Sequence, residues 1–425
     1  MERILVSHII HYLEENSLLS SHQFGFRKKH STVDQLLLTY NDISTSIDRG
    51  HIVDLVFFDY SKAFDVVSHG VLLRKLLELG ISGEVLRWIA GFLSDRYMRV
   101  KVSSSVSSPT RVASGVPQGS VMGPILFLIY INHAVANLTC QFKIFADDIK
   151  LYLGFSSGDI LHAQVILQKN IDLLVKTSQS WGLNMSPGKC AVIRFSPRSS
   201  SYPFFGPSPY HILGSFINFT DSHSDLGIVI DRTLKFHCHT DRAARIAGGI
   251  TTNIFSSTLS RDSSFLINIY RSHVRPKLEY GSNLWNLGYV EDTKLMERVQ
   301  KRWTRAVTDM SEVNYGVRLR TLGLFSFKGR LLRNDLVLVW KIVHGKCGIS
   351  PSSMFTFVSG RSTRGHSLKI YVERANLEVR RRFFSMRVVE AWNALSEETV
   401  TSDEINSFKS FLHRDLGEQL YDYFE

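Results

Sequence analysis

The sequence is poor in cysteine, with four in 425 residues: Cys140, Cys190, Cys238 and Cys347. They lie far apart and form no C-x-x-C pair, which argues against a zinc knuckle and a disulfide framework and fits a reducing intracellular compartment. Long apolar runs are also lacking. The longest, Val121 to Ile131, is broken by Gly123 and Pro124 and falls well short of the roughly 20 residues that cross a bilayer, so no membrane span is read, and no signal peptide either. No internal repeat is found. Acids are in deficit, 39 Asp and Glu against 50 Lys and Arg, for a formal charge of +11. Such a surplus favours a polyanionic partner, although a merely basic soluble surface accounts equally well for charge alone.

What is present is enough apolar residue, 44%, for a large core, and a length that suggests two or three packed units. Met1 to Leu19 reads as an amphipathic helix through Ile4, Leu5, Ile9, Ile10 and Leu13. Ser31 and Thr32 cap a second helix running to about Ile47, with Gln35 placed for a capping box. Ile52 to Phe58 is almost continuously β-branched or aromatic, which predicts a strand buried on both faces that delivers Asp59 at its end. Helices His69–Leu79 and Gly83–Leu93 follow, then a polar hairpin-like stretch, Val100 to Val112, a Gly-rich turn and a helix from Gly123 to about Ala136. Phe142 and Ile144 alternate before Asp147 and Asp148, and Ile149, Leu151 and Leu153 after them. Both carboxylates are thereby predicted at a hairpin tip. A helix Ile160–Trp181, a strand Ala191–Phe195 and a linker Ser196–Pro209 complete this part.

Beyond residue 232 the pattern is helical. A helix Asp292–Thr308 carries Arg298, Lys301, Arg302 and Arg305 on one face. A solvated surface is the ordinary explanation of such a face; nucleic-acid contact becomes the better one beside a polymerase site. Arg380, Arg381 and Arg382 adjoin Phe383 and Phe384, and basic groups interleaved with aromatics suit a nucleic-acid strand.

Asp59, Asp147 and Asp148 are three carboxylates that a central sheet could gather. Hard divalent ions such as Mg²⁺ take oxygen ligands, commonly one or two carboxylates plus substrate phosphates, as in-line phosphoryl transfer by two metals requires. Alone, Asp147 and Asp148 would most often be a polar turn.

The surrounding blocks change that weighting. QFGFRKKHST from Gln23, FFDYSKAFDVV from Phe57, SGVPQGSVMGPILF from Ser114, FADD from Phe145 and GLNMSPGKC from Gly182 occur in an order that resembles the reverse transcriptases of non-LTR, LINE-type retrotransposons. DLGIVID from Asp225 resembles the family's hairpin between palm and thumb, and FFSMRVVEAWNAL from Phe383 the C-terminal segment of its CR1, L2 and jockey-like branches. The resemblance implies an α+β right-hand polymerase: partial fingers over 1–50, a palm with the remaining fingers over 51–231, a thumb-like helical region over 232–310 and a basic helical domain over 311–425. It further implies an RNA-directed DNA polymerase that extends a DNA 3′ end by two-metal nucleotidyl transfer, with two Mg²⁺ for which Mn²⁺ substitutes. Its partners would be template RNA, primer and target DNA and deoxynucleoside triphosphates, in nucleus and cytoplasm by analogy.

Position by position, the resemblance makes Asp59, Asp147 and Asp148 metal ligands, with the Tyr60 carbonyl as a further oxygen. Phe64 becomes the gate against a ribose 2′-hydroxyl; Pro117, Gln118 and Gly119 contact the incoming nucleotide; Arg27 reaches its triphosphate; and Lys189 protonates departing pyrophosphate. Each has an ordinary alternative, a core aromatic for Phe64, a surface arginine for Arg27 and a loop lysine for Lys189. Cys190 stands where the family usually has Thr. The start, MERIL, resembles an entry inside the fingers, without the endonuclease or first fingers segments that such elements usually carry. A truncated, inactive nucleic-acid-binding remnant is therefore the alternative to an active polymerase. A metal-dependent nuclease would use the same acids, but it would not require Phe64, the Pro117–Gly119 turn or Arg27.

Overall fold

The computed structural model describes residues 1–197, 207–358 and 365–424. By packing, the chain divides into two compact units: Met1–Gln35, His51–Phe195 and the described residues up to Asp221 form one, and Leu36–Gly50 with the residues from Ser222 onward form most of the other.

The first unit is built on β1, Ile52–Phe58, whose seven residues are all buried. The flanking strands explain this. In an antiparallel sense β1 pairs on one side with β7, Asp148–Phe155, and on the other with β8, Ala191–Phe195. The small pairs β2 (Tyr97–Met98) with β5 (Thr110–Arg111) and β3 (Lys101–Val102) with β4 (Ser105–Val106) make an exposed hairpin where the sequence predicts one. With β6 (Gln141–Phe145), β9 (Pro207–Ile212) and β10 (Ser215–Phe219), the main sheet runs β6-β7-β1-β8-β10-β9. Pro207–Ile212 being a strand, the linker expected over Ser196–Pro209 ends sooner; its residues 198–206 lie outside the described part.

Helices α1 (Glu2–Glu15), α2 (Thr32–Asp48), α3 (His69–Glu78), α4 (Gly83–Leu93), α5 (Gly123–Ile131) and α6 (Ile160–Ser180) fall where periodicity places them, although α1 stops short of the expected Leu19 and α5 gives way to a 3-10 turn, Asn132–Val135, before the expected Ala136. α5 is apolar all round and buried from Ile125 to Ile131, in one core with Val56, Phe58, Ile149 and Leu151 of the sheet. The cap of α2 is as expected at Ser31, whose Oγ accepts the Asp34 N–H, while Gln35 Oε1 also reaches a distant partner, accepting from Lys150 Nζ at 2.9 Å. A buried ammonium needs such an acceptor.

In the second unit, β11 (Ser222–Asp225) and β12 (Ile228–Asp231) form a hairpin turned at Leu226 and Gly227, both with positive φ. Helices follow, among them α7, His237–Ser257, and the helix Val290–Arg305 that packs on it. The four cysteines are free. Among the described residues no helix is long and apolar enough to cross a membrane.

Candidate active site

Asp59 leaves β1 as its first residue beyond the ladder, half-buried. The segment 184–186 holds it from one side: Ser186 N–H donates to Asp59 O and Ser61 N–H to Asn184 O, each at 2.8 Å. These bonds frame a bridge between Tyr60 and Met185 that does not use the Tyr60 carbonyl. The Tyr60 ring is buried with its hydroxyl 2.7 Å from Ser178 Oγ, and burial pushes its pKa up. The same segment continues into a short 3-10 turn, Pro187–Lys189, and brings Lys189 Nζ to 3.4 Å from Asp59 Oδ2. That oxygen is buried, and among the described residues no hydrogen bond is completed to it; the ammonium supplies charge, not a bond.

β6 and β7 join through a two-residue turn, Ala146 and Asp147, with Phe145 paired to Asp148. Asp147 is half-buried and Asp148 exposed at the start of β7. Burial, and after it the charge of Asp59, hold the Asp147 carboxyl above its ordinary range. Two like charges are thus held near each other in a partly dry place. Among the described residues no three His, Cys, Asp or Glu side chains converge as a ready-made ligand set. The donor chemistry nonetheless suits Mg²⁺, which needs one or two carboxylates and takes its remaining oxygens from phosphate and water.

Phe64 lies beyond Asp59 in the same segment. It stacks on Phe127 of α5, ring centres 4.1 Å apart, and meets Phe26 edge-on at 6.3 Å. The loop 114–119 is sewn to it. Val116 N–H donates to Phe64 O, Gly115 N–H to Val67 O, and Ser114 Oγ to Asp65 O. At Gly115 a Cβ would stand 2.7 Å from Asp65 O, so only glycine allows this approach. Gln118 Nε2 donates to Asp65 Oδ1 at 2.8 Å, an exposed contact, and Gly119 has φ +81°. Phe64, Pro117, Gln118 and Gly119 therefore form one assembly, with Asp65 as a member that sequence reasoning missed although FDVV displays it. The N–H groups of Val121 and Met122, at the entrance to α5, are held by the Glu2 carboxylate at 2.8 and 3.0 Å.

Arg27 is placed differently. Its guanidinium makes a fork with Glu14 (2.8 and 2.6 Å) and donates to the carbonyls of Ser20 and Gln23. With a side chain only 11% exposed, it is a strut that ties α1 to the following loop, not an open phosphate clamp. Gln23 and Gly25, quoted in the same block but given no role, reach the Ala146 turn directly.

Of the basic residues in the second unit, Arg298, Arg302 and Arg305 are exposed on one helix face. Arg298 and Arg302 line, with Arg245 and Asp241 of α7, a groove of about 360 Å³. Lys301 turns away to lie over the rings of Tyr315 and Tyr423. The Arg380 cluster faces inward for the most part. Arg380 is buried and donates to Asn41 Oδ1 and Ser44 Oγ; Arg382 holds Glu378 and the Leu287 carbonyl and covers Tyr289; Arg381 alone of the three is exposed. Phe383 and Phe384 are buried, so they offer no stacking surface.

Residues 1–217 match the family model described as reverse transcriptase (RNA-dependent DNA polymerase). The probable RNA-directed DNA polymerase from transposon BS of Drosophila melanogaster is 28% identical over 350 residues, covering 78% of this chain and 37% of that protein. The RNA-directed DNA polymerase from mobile element jockey of the same species is 26% identical over 319 residues, covering 72% and 34%. The chain thus spans about a third of the length of these relatives. A solved telomerase of Candida tropicalis, in complex with a TWJ fragment of telomeric RNA, aligns with 80% of this chain and 54% of that one at 13% identity and a TM-score of 0.40. With half of its length matched by the family model and most of it by mobile-element polymerases, the chain belongs to the reverse transcriptase family, in the non-LTR retrotransposon kind that its motifs resemble.

Proposed function

We propose that this chain extends a DNA 3′ end on an RNA template with deoxynucleoside triphosphates. The observation that carries the reading is that Asp59 and Asp147 lie at the same end of β1, near enough for the charge of one to raise the pKa of the other, with the Lys189 ammonium at 3.4 Å from Asp59. Such a pair suits Mg²⁺, or Mn²⁺ in its place, with Asp148 at the rim; bound there, the ions would lower the charge on the phosphates and on the attacking oxygen. In the reaction the primer 3′-oxygen bonds to the α-phosphorus and the bond to pyrophosphate breaks. Lys189, whose ammonium lies 3.4 Å from Asp59, would be the group that gives pyrophosphate a proton. Phe64, backed by Phe127, is stiff enough to act as a gate beneath the sugar, and Gln118 would meet the nucleotide from a loop that Asp65 ties to the same segment. On this reading the main sheet is the palm, residues 1–50 belong to the fingers, and the helices after β12 are thumb and C-terminal domain.

The test is primer extension on an RNA template with Mg²⁺ or Mn²⁺. Asp59→Asn and Asp147→Asn should each abolish it, and Phe64→Val should lower the ratio of kcat/KM for deoxy over ribo substrates. Binding of RNA and primer duplex without extension in the parent would leave the chain a nucleic-acid-binding remnant. Undiminished extension in both Asp variants would place the chemistry elsewhere.

A further inference from the structure

Ala146 is the first of the two residues that turn β6 into β7, and its φ is +56°. Side chains other than those of Asn and Asp enter this left-handed region reluctantly, and a two-residue hairpin loop with positive φ at its first position favours glycine there. The turn that aims Asp147 is therefore not self-supporting. Its support comes from residues 22–25, which run alongside β6: Ile144 N–H donates to His22 O and Phe24 N–H to Ile144 O, both at 2.9 Å. From this added strand the Gln23 side chain, 1% exposed, turns onto the hairpin tip. Its Oε1 accepts from Ala146 N–H at 3.0 Å and from Gly25 N–H at 2.7 Å, and its Nε2 stands 3.5 Å from Ala146 O. Gly25 completes the fit, since a Cβ there would lie 2.5 Å from Ala146 N.

We propose that Gln23 and Gly25 are positioning residues, a latch that holds Ala146 left-handed and so keeps Asp147 turned toward Asp59. The latch deepens the polymerase reading by naming what pre-organises its second carboxylate. It also explains why a glutamine is buried here: a single carboxamide oxygen accepts from two backbone N–H groups, Ala146 of the turn and Gly25 of its own segment. Alanine at 146 makes the arrangement conditional, because the turn keeps its shape only while the latch is closed.

The test uses the full chain with Gln23→Ala, Gly25→Ala, Ala146→Gly and the double variant Gln23→Ala/Ala146→Gly. Three readouts are taken: amide exchange of the Phe145–Ile149 peptide without metal, Mn²⁺ affinity by electron paramagnetic resonance, and primer extension. Gln23→Ala should speed exchange at the turn, weaken Mn²⁺ binding several-fold, and lower kcat by about tenfold or more with little change in nucleotide KM, as expected for a misplaced catalytic group. Glycine at 146 adopts positive φ unaided, so the double variant should recover most of the Mn²⁺ affinity and rate, while Ala146→Gly alone stays near the parent. Parental Mn²⁺ affinity and exchange in Gln23→Ala, or a loss that Ala146→Gly does not restore, would overturn the latch. Should Gln23→Ala fail to fold, Gly25→Ala carries the test, because its Cβ presses on the turn in a chain that keeps Gln23; unchanged Mn²⁺ affinity there overturns the proposal. A parent that extends no primer would sink the polymerase reading alone, since exchange and Mn²⁺ binding still decide the latch.

Discussion

Asp54 and Asp59 lie five residues apart, one in the middle of β1 and one just past its end, and the molecule treats them oppositely. Asp54 is fully buried and fully matched: Arg194 grips both its oxygens at 2.7 Å, and the Tyr210 hydroxyl donates at 2.6 Å. Arg194 is in turn packed over Phe219. Asp59 has a buried oxygen that accepts no hydrogen bond among the described residues, and an acidic neighbour in Asp147. The first arrangement closes an electrostatic account inside the sheet; the second leaves one open for a ligand. On the proposed reading, which residue serves chemistry is decided by its partners, not by its type or burial. The arginines repeat the contrast. Arg387 is spent on Asp335 and the Asn283 carbonyl, whereas Arg298 and Arg302 are exposed along a groove whose Asp241 is already paired with Arg245.

The largest expected effect breaks the closed account. Asp54→Ala leaves the Arg194 guanidinium buried without its counter-ion and should cost about 3–5 kcal/mol of stability, the usual penalty for halving a buried pair. Asp59→Asn, although it removes activity, should leave stability near the parent. Denaturant unfolding of both variants checks this, and equal losses would erase the distinction. Arg387→Ala should come next, at about 2–3 kcal/mol, because Asn283 and Asn286 still donate to the stranded Asp335.

A smaller effect of opposite sign is expected at Asp147. Its folded pKa is raised, so between the ordinary 3.8 and that raised value the folded chain keeps a proton the unfolded chain has released. Stability therefore falls as pH rises through this window, and the full penalty persists above it. Asp147→Asn should melt slightly higher than the parent at pH 7 without metal, and the gain should vanish below the window. A gain that is the same at both pH values would trace to packing, not charge.

Much of this contrast was hidden in the sequence. Ile52–Phe58, Gly83–Leu93 and Ala191–Phe195 are legible to the residue because continuous burial, or glycine and serine at a helix start, marks their ends locally. The hairpin carrying Asp147 follows from alternation on both sides. The partners of charged groups come from distant segments, and no local pattern announces them. Arg27 meets Glu14 across a helix end, Lys150 meets Gln35, and Arg380 enters a pocket made by Asn41 and Ser44. Gln23 could have been suspected, since a glutamine beside Phe24 at the start of a motif needs a reason to be there. Its target, a backbone N–H in a strained turn, required the structure.

The smallest effect on stability is expected at the exposed arginines, and it comes with a large effect on binding. Arg298 and Arg302 stand in solvent one helical turn apart, beside Arg245, whose own charge is shared with Asp241 at 2.6 Å. Removing both side chains takes away no buried contact, so Arg298→Ala/Arg302→Ala should change unfolding free energy by no more than about 0.5 kcal/mol. If the groove carries a nucleic-acid backbone, two phosphates lose their partners. The slope of log K against log salt should then flatten by roughly 1.5 to 2 units, with little change in sequence preference. The matched control is Arg380→Ala, which should lower stability and leave the slope unaltered, because its guanidinium is occupied by Asn41 and Ser44. Titrations of the full chain with labelled RNA and primer duplex across a salt series distinguish the two. An unchanged slope in the double variant would make the 298–305 face an ordinary solvated surface, and a flattened slope in Arg380→Ala would mean that a buried arginine acts on nucleic acid through the fold it supports.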